Sequence, residues 1–199
     1  MFVDYIRHGM PVGGGRYRGQ IDDPLSDLGW AQMRATAAEE QDWTRLVSSP
    51  LCRCLAFANE LSEQRGLPLE VDERLREVGF GDWEGMSGAE IDERWPDARR
   101  AFYKNPIEGR PAGAEALADF SARCADAWED ITSRYVDDHV LVVAHAGVIR
   151  ATLAYVLGMP LERLYRLQVA NASLTRIRLT ESRPPEVMFH GRNVAKVSP

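Results

Sequence analysis

The chain has 199 residues, and its 24 Lys and Arg against 30 Asp and Glu give a formal net charge of −6 at pH 7. This length fits one domain with a sizeable core, and the negative charge argues against a nucleic-acid partner, since phosphate backbones favour basic surfaces. No apolar run approaches the roughly 18 residues of a membrane-spanning helix, and no secretory signal opens the chain. We therefore expect a single domain over residues 1–199 and a cytoplasmic protein without a membrane partner. A homodimer is left open.

The first predicted element is a short buried strand over residues 2–6, an apolar run rich in β-forming side chains. It ends at Arg7-His8-Gly9, where the glycine is expected to permit a turn out of the sheet. In open α/β sheets, ligands bind outside the carboxyl ends of the strands. A cation beside a histidine at such a position indicates chemistry on an anion, although a lone histidine at a strand end is more often structural.

A loop follows over residues 11–24, with three consecutive glycines and then Arg16 and Arg18. It does not match GxGxxG and no helix follows it directly, so dinucleotide binding is not indicated. Two interpretations stay open. The loop is either a mobile surface turn or a rim whose arginines close on a substrate.

Further along, Ser26 is a predicted helix cap, and Arg53 lies in the first turn of another helix. A cation there opposes the helix dipole, which is unfavourable unless an anion lies nearby. The segment 86–113 is predicted as an irregular helical insertion that begins with a capping box at residues 87–90. The other elements predicted up to residue 135 are helices over 27–41, 51–65, 87–95 and 114–135, strands over 45–49 and 69–71, and a glycine-punctuated loop over 75–85.

A second apolar strand, over residues 140–144, ends in His145 and leads into a helix over 147–157. Two strands that deliver histidines at the same end of a sheet can bring them face to face. Arg150 is predicted to be a cation on the surface of that helix, and His139 and His190 to be structural or exposed. A helical turn over 161–165 and strands over 174–179 and 187–190 complete the predicted elements.

These candidates suit the hydrolysis of a phosphate monoester. Negative phosphoryl oxygens require fixed cations and N–H donors around them, and the reaction needs an in-line nucleophile and an acid for the leaving oxygen. A neutral imidazole can serve as the nucleophile. The helix that begins at Gly147 could add its N-terminal amides.

Five segments together resemble the histidine phosphatase superfamily, in its phosphoglycerate mutase-like branch, and they arrive in that family's order. The resemblance implies a three-layer α/β/α sandwich with a mixed, mainly parallel sheet, and no cofactor. The matching segments are RHG (7–9), DDPLSDLG (22–29), SSPLCRC (48–54), LREVGFGDWEG (75–85) and AHAGVIR (144–150).

The resemblance also assigns roles to individual residues. His8 would be the phosphorylated nucleophile and Glu77 the acid and base. Arg7 and Arg53 would bind phosphate, and His145 would bind it opposite His8. The implied partner is a small phosphorylated substrate, held without a metal.

Within the branch, the GDWEG loop and the short chain look most like α-ribazole-phosphate phosphatases of cobalamin assembly, although generic small phosphatases share both features. True mutases usually carry longer insertions. Many members read RHGxTxxN, whereas residues 10–14 here lack that Thr and Asn, so Arg16, Arg18 or loop amides would have to substitute. Trp83 could stack on a substrate ring or pack within its loop.

Other enzyme classes leave no signature: there is no C-x₅-R, no G-x-S-x-G and no G-x-x-x-x-G-K-[ST]. The three cysteines indicate neither a disulfide framework nor a zinc site. Three hypotheses remain. The favoured one is a metal-independent phosphomonoesterase, with α-ribazole 5′-phosphate as a candidate substrate. The alternatives are a phosphoglycerate mutase-type phosphotransferase and a non-catalytic sensor of a phosphorylated ligand.

Overall fold

The computed structural model describes residues 1–193, which form a six-stranded mixed sheet with helices on both faces. The sheet order is β3-β2-β4-β1-β5-β6; β3, β2, β4 and β1 run parallel, and β5 and β6 are antiparallel to their neighbours. The predicted mixed, mainly parallel sheet is therefore confirmed. The strands are β1 (Phe2–Arg7), β2 (Arg45–Ser48), β3 (Leu69–Val71), β4 (His139–Ala144), β5 (Leu174–Thr180) and β6 (Arg183–Arg192).

The helices form the two outer layers of the predicted sandwich. One sheet face packs against the first two helices, where Ile6 of β1 meets Met33 and Phe57. The opposite face packs against the fifth and sixth helices, and there Tyr5 stacks on Trp128. The helices are α1 (Asp27–Ala38), α2 (Cys52–Arg65), α3 (Gly88–Arg94), α4 (Ala98–Lys104), α5 (Leu117–Arg134) and α6 (Ala146–Val156).

The segment 86–113 is helical, as predicted, but it is more regular than its prolines and glycines suggest. Ser87 and Glu90 form the predicted capping box at the start of α3. The sequence pattern does not single out α4, yet Phe102 of this helix is fully buried and joins the core under the insertion. Because of that burial, the insertion is packed against the sandwich rather than looped out from it.

Element ends differ from the predictions by a few residues, and β6 differs most. The strand was predicted over 187–190, whereas it spans Arg183–Arg192 and includes Pro184 and Pro185. These prolines are tolerated because β6 is an edge strand that pairs only with β5, so a missing N–H costs no ladder hydrogen bond on its open side. In residues 1–193, no helix has both the length and the apolar character needed to cross a bilayer.

Gly9 is required for a reason other than the predicted one. It is not among the residues with positive φ, so the backbone conformation at this turn does not demand glycine. A Cβ atom at Gly9 would instead lie 2.2 Å from the carbonyl oxygen of Gly29 in α1. The close approach of two backbones therefore fixes the glycine, and it sets the turn after β1 directly against the start of α1.

Candidate active site

Two buried histidines meet at the carboxyl end of the sheet. Strands β1 and β4 are parallel neighbours, with Arg7 paired to Ala144, so the next residue of each strand, His8 and His145, emerges at the same place. Their ring centroids are 5.2 Å apart, at an interplanar angle of 62°. His8 is 6% exposed and His145 is fully buried. The distant segments thus bring two imidazoles to one point, as the sequence pattern predicts.

The contacts of His8 determine its tautomer. Its Nδ1 lies 2.7 Å from the carbonyl oxygen of Gly9, which only accepts hydrogen bonds, so Nδ1 carries the proton and Nε2 keeps its lone pair. Burial lowers the pKa of His8 well below 6.5, and the positive charges of Arg7 and Arg53 lower it further. The ring is therefore neutral at neutral pH, with a nucleophilic Nε2.

His145 is held from the opposite side by a hydroxyl and a thiol. Its Nε2 lies 2.7 Å from Ser49 Oγ and 3.5 Å from Cys54 Sγ. Burial lowers the pKa of His145 well below 6.5, with further contributions from Arg53 and His8. His145 is therefore neutral and acts through hydrogen bonds rather than as a cation.

Two arginines beside the histidines keep buried donors that no protein group accepts. Arg7 Nη1 donates to the carbonyl of Val169 at 2.7 Å, and Arg53 donates to the carbonyls of Ile21 at 2.6 Å and Gly19 at 3.0 Å. The Nε–H groups of both arginines are buried and without a partner among residues 1–193. A buried unpaired donor costs about 1–3 kcal/mol, a cost that a bound acceptor would offset.

Glu77 is buried beside the histidine pair and held by two backbone amides. Its Oε1 accepts from Val78 N at 2.9 Å and its Oε2 from Gly147 N at 3.0 Å. A Cβ on Gly147 would lie 2.1 Å from Glu77 Oε1, which explains the glycine. Of the N-terminal amides that were expected to bind phosphate, the Gly147 amide instead orients Glu77.

The arginine-rich loop is tied down, and its side chains are largely occupied. Arg18 pairs with Asp23 at 2.6 Å and donates to the carbonyls of Val12 and Gly14, so it holds the loop closed on itself. Arg16 donates to the carbonyl of Gly85 and lies 3.4 Å from Glu90. Both arginines line the cavity, yet each already has an acidic partner, which weakens the prediction that they replace the missing Thr and Asn.

Trp83 does not reach the cavity. It is 2% exposed and packs edge-on against Tyr17 and Phe102 in the core under the insertion. Its role as a residue that stacks on substrate is therefore wrong. Phe80, three residues earlier, lines the cavity in its place.

Glu84, in the GDWEG segment, has a positioning role that sequence reasoning missed. Its carboxylate accepts the backbone N–H groups of Gly19, Gln20, Ile21 and Phe80. The carbonyls of Gly19 and Ile21, in that same stretch, accept from Arg53. Glu84 thus fixes the loop that aims Arg53 at the histidines.

The cavity over the histidines has a volume of about 630 Å³. Arg150, predicted as a cation on the helix surface, lines this cavity. The spacing of four residues from Ala146, which also lines the cavity, was a signal that could have located it. Other lining residues come from segments without a recognisable pattern, namely Arg99, Tyr103, Tyr165, Gln168 and Asn171.

The acidic, histidine and cysteine side chains of the described residues form neither a metal site nor a disulfide. Within the part of the chain that the structure describes, no group of three or more His, Cys, Asp or Glu side chains could hold a metal ion. Cys52, Cys54 and Cys124 are free thiols, the last two buried. Burial raises the pKa of Cys54 well above its usual range, so this thiol stays protonated beside His145.

Comparisons with known proteins agree with this geometry. The family model described as histidine phosphatase superfamily (branch 1) matches residues 5–190. A glucosyl-3-phosphoglycerate phosphatase of Mycolicibacterium vanbaalenii is 36% identical over 169 residues, 79% of this chain and 74% of that protein. Phosphoserine phosphatase 1 of Hydrogenobacter thermophilus is 31% identical over 171 residues, 85% of this chain and 81% of the relative.

Solved structures show the same architecture. A mycobacterial glucosyl-3-phosphoglycerate phosphatase in complex with VO₃ superimposes with a TM-score of 0.85 at 32% identity, covering 96% of this chain and 98% of the other. The α-ribazole phosphatase of Shigella flexneri gives a TM-score of 0.83 over the full length of both chains. Its identity of 23% shows a shared fold and no more.

Proposed function

The chain belongs to branch 1 of the histidine phosphatase superfamily, and from that premise we propose that it hydrolyses a small phosphorylated metabolite through a phosphohistidine on His8. The observation that carries the proposal is the pair of neutral, buried histidines beside two guanidinium Nε–H groups without protein acceptors. A phosphoryl group placed there would accept both donors and face the lone pair of His8 Nε2.

In the first step, His8 Nε2 attacks phosphorus and the bond from phosphorus to the ester oxygen breaks. Glu77, held by Val78 N and Gly147 N, gives its proton to the leaving oxygen, which departs as an alcohol. The Gly9 carbonyl stabilises the imidazole as its positive charge rises, because it already accepts a hydrogen bond from Nδ1–H. This is the role that an orienting acceptor has for a catalytic histidine.

In the second step, water attacks the phosphorus of the phosphohistidine. The Glu77 carboxylate takes the water proton, and the bond to His8 Nε2 breaks, which regenerates the neutral ring and releases inorganic phosphate. Arg7, Arg53 and His145 bind the phosphoryl oxygens in both steps. Preorganised donors of this kind lower the barrier because they need no reorganisation as charge develops.

The charge that a metal would otherwise supply is proposed to come from the arginines. Burial lowers the pKa of Arg7 to about 10, with Arg150 and Arg53 adding to the effect, so Arg7 still carries its charge at neutral pH. Close packing of cations in a buried site is unfavourable by itself, and a dianionic phosphoryl group offsets it. We accordingly propose turnover in the absence of divalent cations.

The substrate belongs to the class of small phosphomonoesters. Relatives named for glucosyl-3-phosphoglycerate and phosphoserine support a phosphorylated acid. α-Ribazole 5′-phosphate stays a candidate on the strength of the GDWEG segment and the short chain. A screen of glucosyl-3-phosphoglycerate, phosphoserine, α-ribazole 5′-phosphate and the phosphoglycerates would rank these esters by kcat/KM.

The direct test is hydrolysis of p-nitrophenyl phosphate in the presence of EDTA. We expect turnover by the wild type and at least a 1,000-fold loss in His8→Ala, an order of magnitude typical for removing a covalent nucleophile. His190→Ala is the matched control, since His190 hydrogen-bonds to Thr175 and to a backbone carbonyl outside the pair. An inactive wild type would favour the sensor hypothesis.

Vanadate supplies a second, independent test. A relative binds VO₃, and the same arginine and histidine donors here would hold a pentacoordinate vanadate. Competitive inhibition is expected, and it should disappear in Arg53→Met. Full activity at millimolar vanadate would contradict the proposed phosphoryl site.

A further inference from the structure

Arg150 lies in the cavity but outside the group of residues assigned to the phosphoryl. It is on α6, four residues after Ala146, so both side chains lie on the helix face that borders the cavity. Five residues, about 7.5 Å along the helix axis, separate it from His145, the residue that caps α6. Its Nε donates to the carbonyl of Leu167 at 2.9 Å, and its guanidinium lies 5.2 Å from the Tyr165 ring centroid.

These two contacts fix the guanidinium but leave its outer edge free. Neither Nη1 nor Nη2 of Arg150 has a hydrogen-bond partner among residues 1–193, and neither is among the buried, unpartnered atoms. An arginine anchored through Nε presents two parallel N–H donors, the arrangement that binds a carboxylate or phosphate through two oxygens.

The ion pairs of the cavity single out Arg150. The other arginines of the outer cavity each have a carboxylate nearby: Arg16 has Glu90 at 3.4 Å, Arg18 has Asp23 at 2.6 Å, and Arg99 has Asp92 at 2.6 Å. Arg150 has no carboxylate within ion-pair distance in the described part of the chain. Within the described residues, the unpaired cations of the cavity lining are therefore Arg7, beside His8, and Arg150, on α6.

We propose that Arg150 binds a second anionic group, a carboxylate or a second phosphate, on the alcohol portion of the substrate. The inference rests on the proposed function, because it assigns the leaving group of the same reaction. It makes Arg150 a specificity-determining residue and narrows the substrate class to phosphomonoesters with two separated anionic groups.

The walls of the outer cavity fit a polar alcohol portion. Tyr17 and Tyr103 join their hydroxyls at 2.9 Å, and Arg99 Nε lies 3.2 Å from the Tyr17 hydroxyl. Tyr165 completes this side, at 6.1 Å from Tyr103 between ring centroids. Hydroxyls and aromatic faces together suit a hydroxylated chain or a sugar ring between the phosphoryl and the second anion.

The test compares three esters that differ in one group. 3-Phosphoglycerate carries a carboxylate where sn-glycerol 3-phosphate carries a hydroxymethyl group, and glycerol 1,3-bisphosphate carries a second phosphate there. We expect kcat/KM of the wild type to be higher for one or both doubly anionic esters. In Arg150→Gln this preference should fall by about 10- to 100-fold, the range for losing a charge-assisted hydrogen-bond pair, with glycerol phosphate nearly unaffected.

Arg163→Gln is the matched control, because Arg163 is an exposed arginine near the same end of the chain and outside the cavity lining. Its preference should equal that of the wild type. Relative activity on the carboxylate and bisphosphate esters decides which anion Arg150 prefers.

Two outcomes would overturn the inference while leaving the proposed function intact. One is an equal loss on all three esters in Arg150→Gln, which would make Arg150 a phosphoryl ligand. The other is a wild type without preference for either doubly anionic ester. If no ester is hydrolysed, the proposed function fails separately. The inference is then decided by calorimetry, which measures the dissociation constants of the same esters for the wild type and for Arg150→Gln.

Discussion

Two buried polar clusters lie on the same sheet, and they differ in whether their hydrogen-bond donors all have acceptors. One surrounds Asp4 in the middle of β1, and the other surrounds His8, four residues later. Asp4 accepts hydrogen bonds from Trp43 at 2.8 Å, from Arg176 through two nitrogens at 2.8 Å each, and lies 3.0 Å from His139 Nε2. Every oxygen of this carboxylate is occupied.

At the His8 cluster, by contrast, donors outnumber acceptors. The Nε–H groups of Arg7 and Arg53 have no acceptor within the described residues. A polar cluster that satisfies itself stabilises the fold, whereas one with unpaired donors is unfavourable until a ligand binds. Burial alone therefore does not mark a functional site; the imbalance of donors and acceptors does.

The same substitution in each cluster should separate the two roles most strongly. Arg176→Met leaves the buried Asp4 carboxylate with fewer donors and should lower the free energy of unfolding by about 3–5 kcal/mol, with kcat/KM of the folded protein nearly unchanged. Arg53→Met should lower kcat/KM by about 100- to 1,000-fold, the range for losing one preorganised donor. Urea unfolding and steady-state kinetics on both variants measure the two effects.

A large loss of activity in Arg176→Met while it remains folded would contradict this separation. So would an Arg53→Met variant that keeps wild-type kcat/KM. The first result would mean that the two clusters are energetically coupled through β1, and the second that Arg53 does not stabilise the transition state.

Inorganic phosphate should stabilise the protein through the second cluster alone. At a concentration 100 times its dissociation constant, it should raise the free energy of unfolding by about 2.7 kcal/mol. The increase should be largely lost in Arg53→Met and persist in Arg176→Met, because Arg53 is proposed to donate to the bound anion and Arg176 is not. Thermal unfolding with and without phosphate checks this, and equal stabilisation of both variants would show that phosphate binds elsewhere.

The two clusters should also lose stability in different pH ranges. The folded pKa values of His8 and His145 lie below 6.5, so the unfolded chain binds more protons as the pH falls through 6.5, and stability is lost there. The loss should be about 2 kcal/mol between pH 6.5 and about pH 5.5 for the two rings. Burial raises the pKa of Asp4, but hydrogen bonds from Arg176, His139 and Trp43 outweigh it, so its pKa lies below 3.8 and its contribution is lost only below that pH.

The control for this pH dependence is His8→Asn, which should remove about half of the loss between those pH values. NMR titration of the imidazole resonances gives the same information residue by residue. A His8 ring that titrates at or above 6.5 would contradict the assigned environment.

The smallest expected effect concerns Glu84. This carboxylate is fully hydrogen-bonded, and it supports the loop that holds Arg53 in the His8 cluster. Glu84→Gln loses part of its four backbone hydrogen bonds, so Arg53 should be held less firmly and kcat/KM should fall by about tenfold. In the Arg53→Met background, the same substitution should have little further effect on kcat/KM, as a double-mutant cycle would show. Additive losses would mean that Glu84 acts by another route.

The sequence predicts the parts of this site that lie at strand ends. Short apolar strands followed by His8 and His145 have a clear pattern, and parallel pairing then forces the two rings together. The sheet type, the capping box at Ser87 and the approximate helix bounds follow from equally local signals. These features depend on residues that are neighbours in the sequence or on the pairing of parallel strands.

What the sequence does not reveal depends on contacts between distant segments. Whether Arg18 is free or occupied is decided by Asp23 and two carbonyls that only the folded loop brings together. The burial of Trp83 depends on α4, and the occupied amide of Gly147 depends on Glu77, 70 residues earlier. The sequence predicts Arg150 only as a cation on the surface of its helix, because its place in the cavity lining depends on how α6 packs in the folded chain.

The most direct test of the account is to trap the phosphorylated enzyme. The sample is either Glu77→Gln or the wild type, mixed with a phosphomonoester and rapidly quenched. Peptide mass spectrometry under alkaline conditions should then find one added phosphoryl group on the peptide that contains His8. The same peptide of His8→Ala should carry none. Phosphate on any other residue, or steady turnover without a phosphorylated His8 peptide at any quench time, would contradict the central claim.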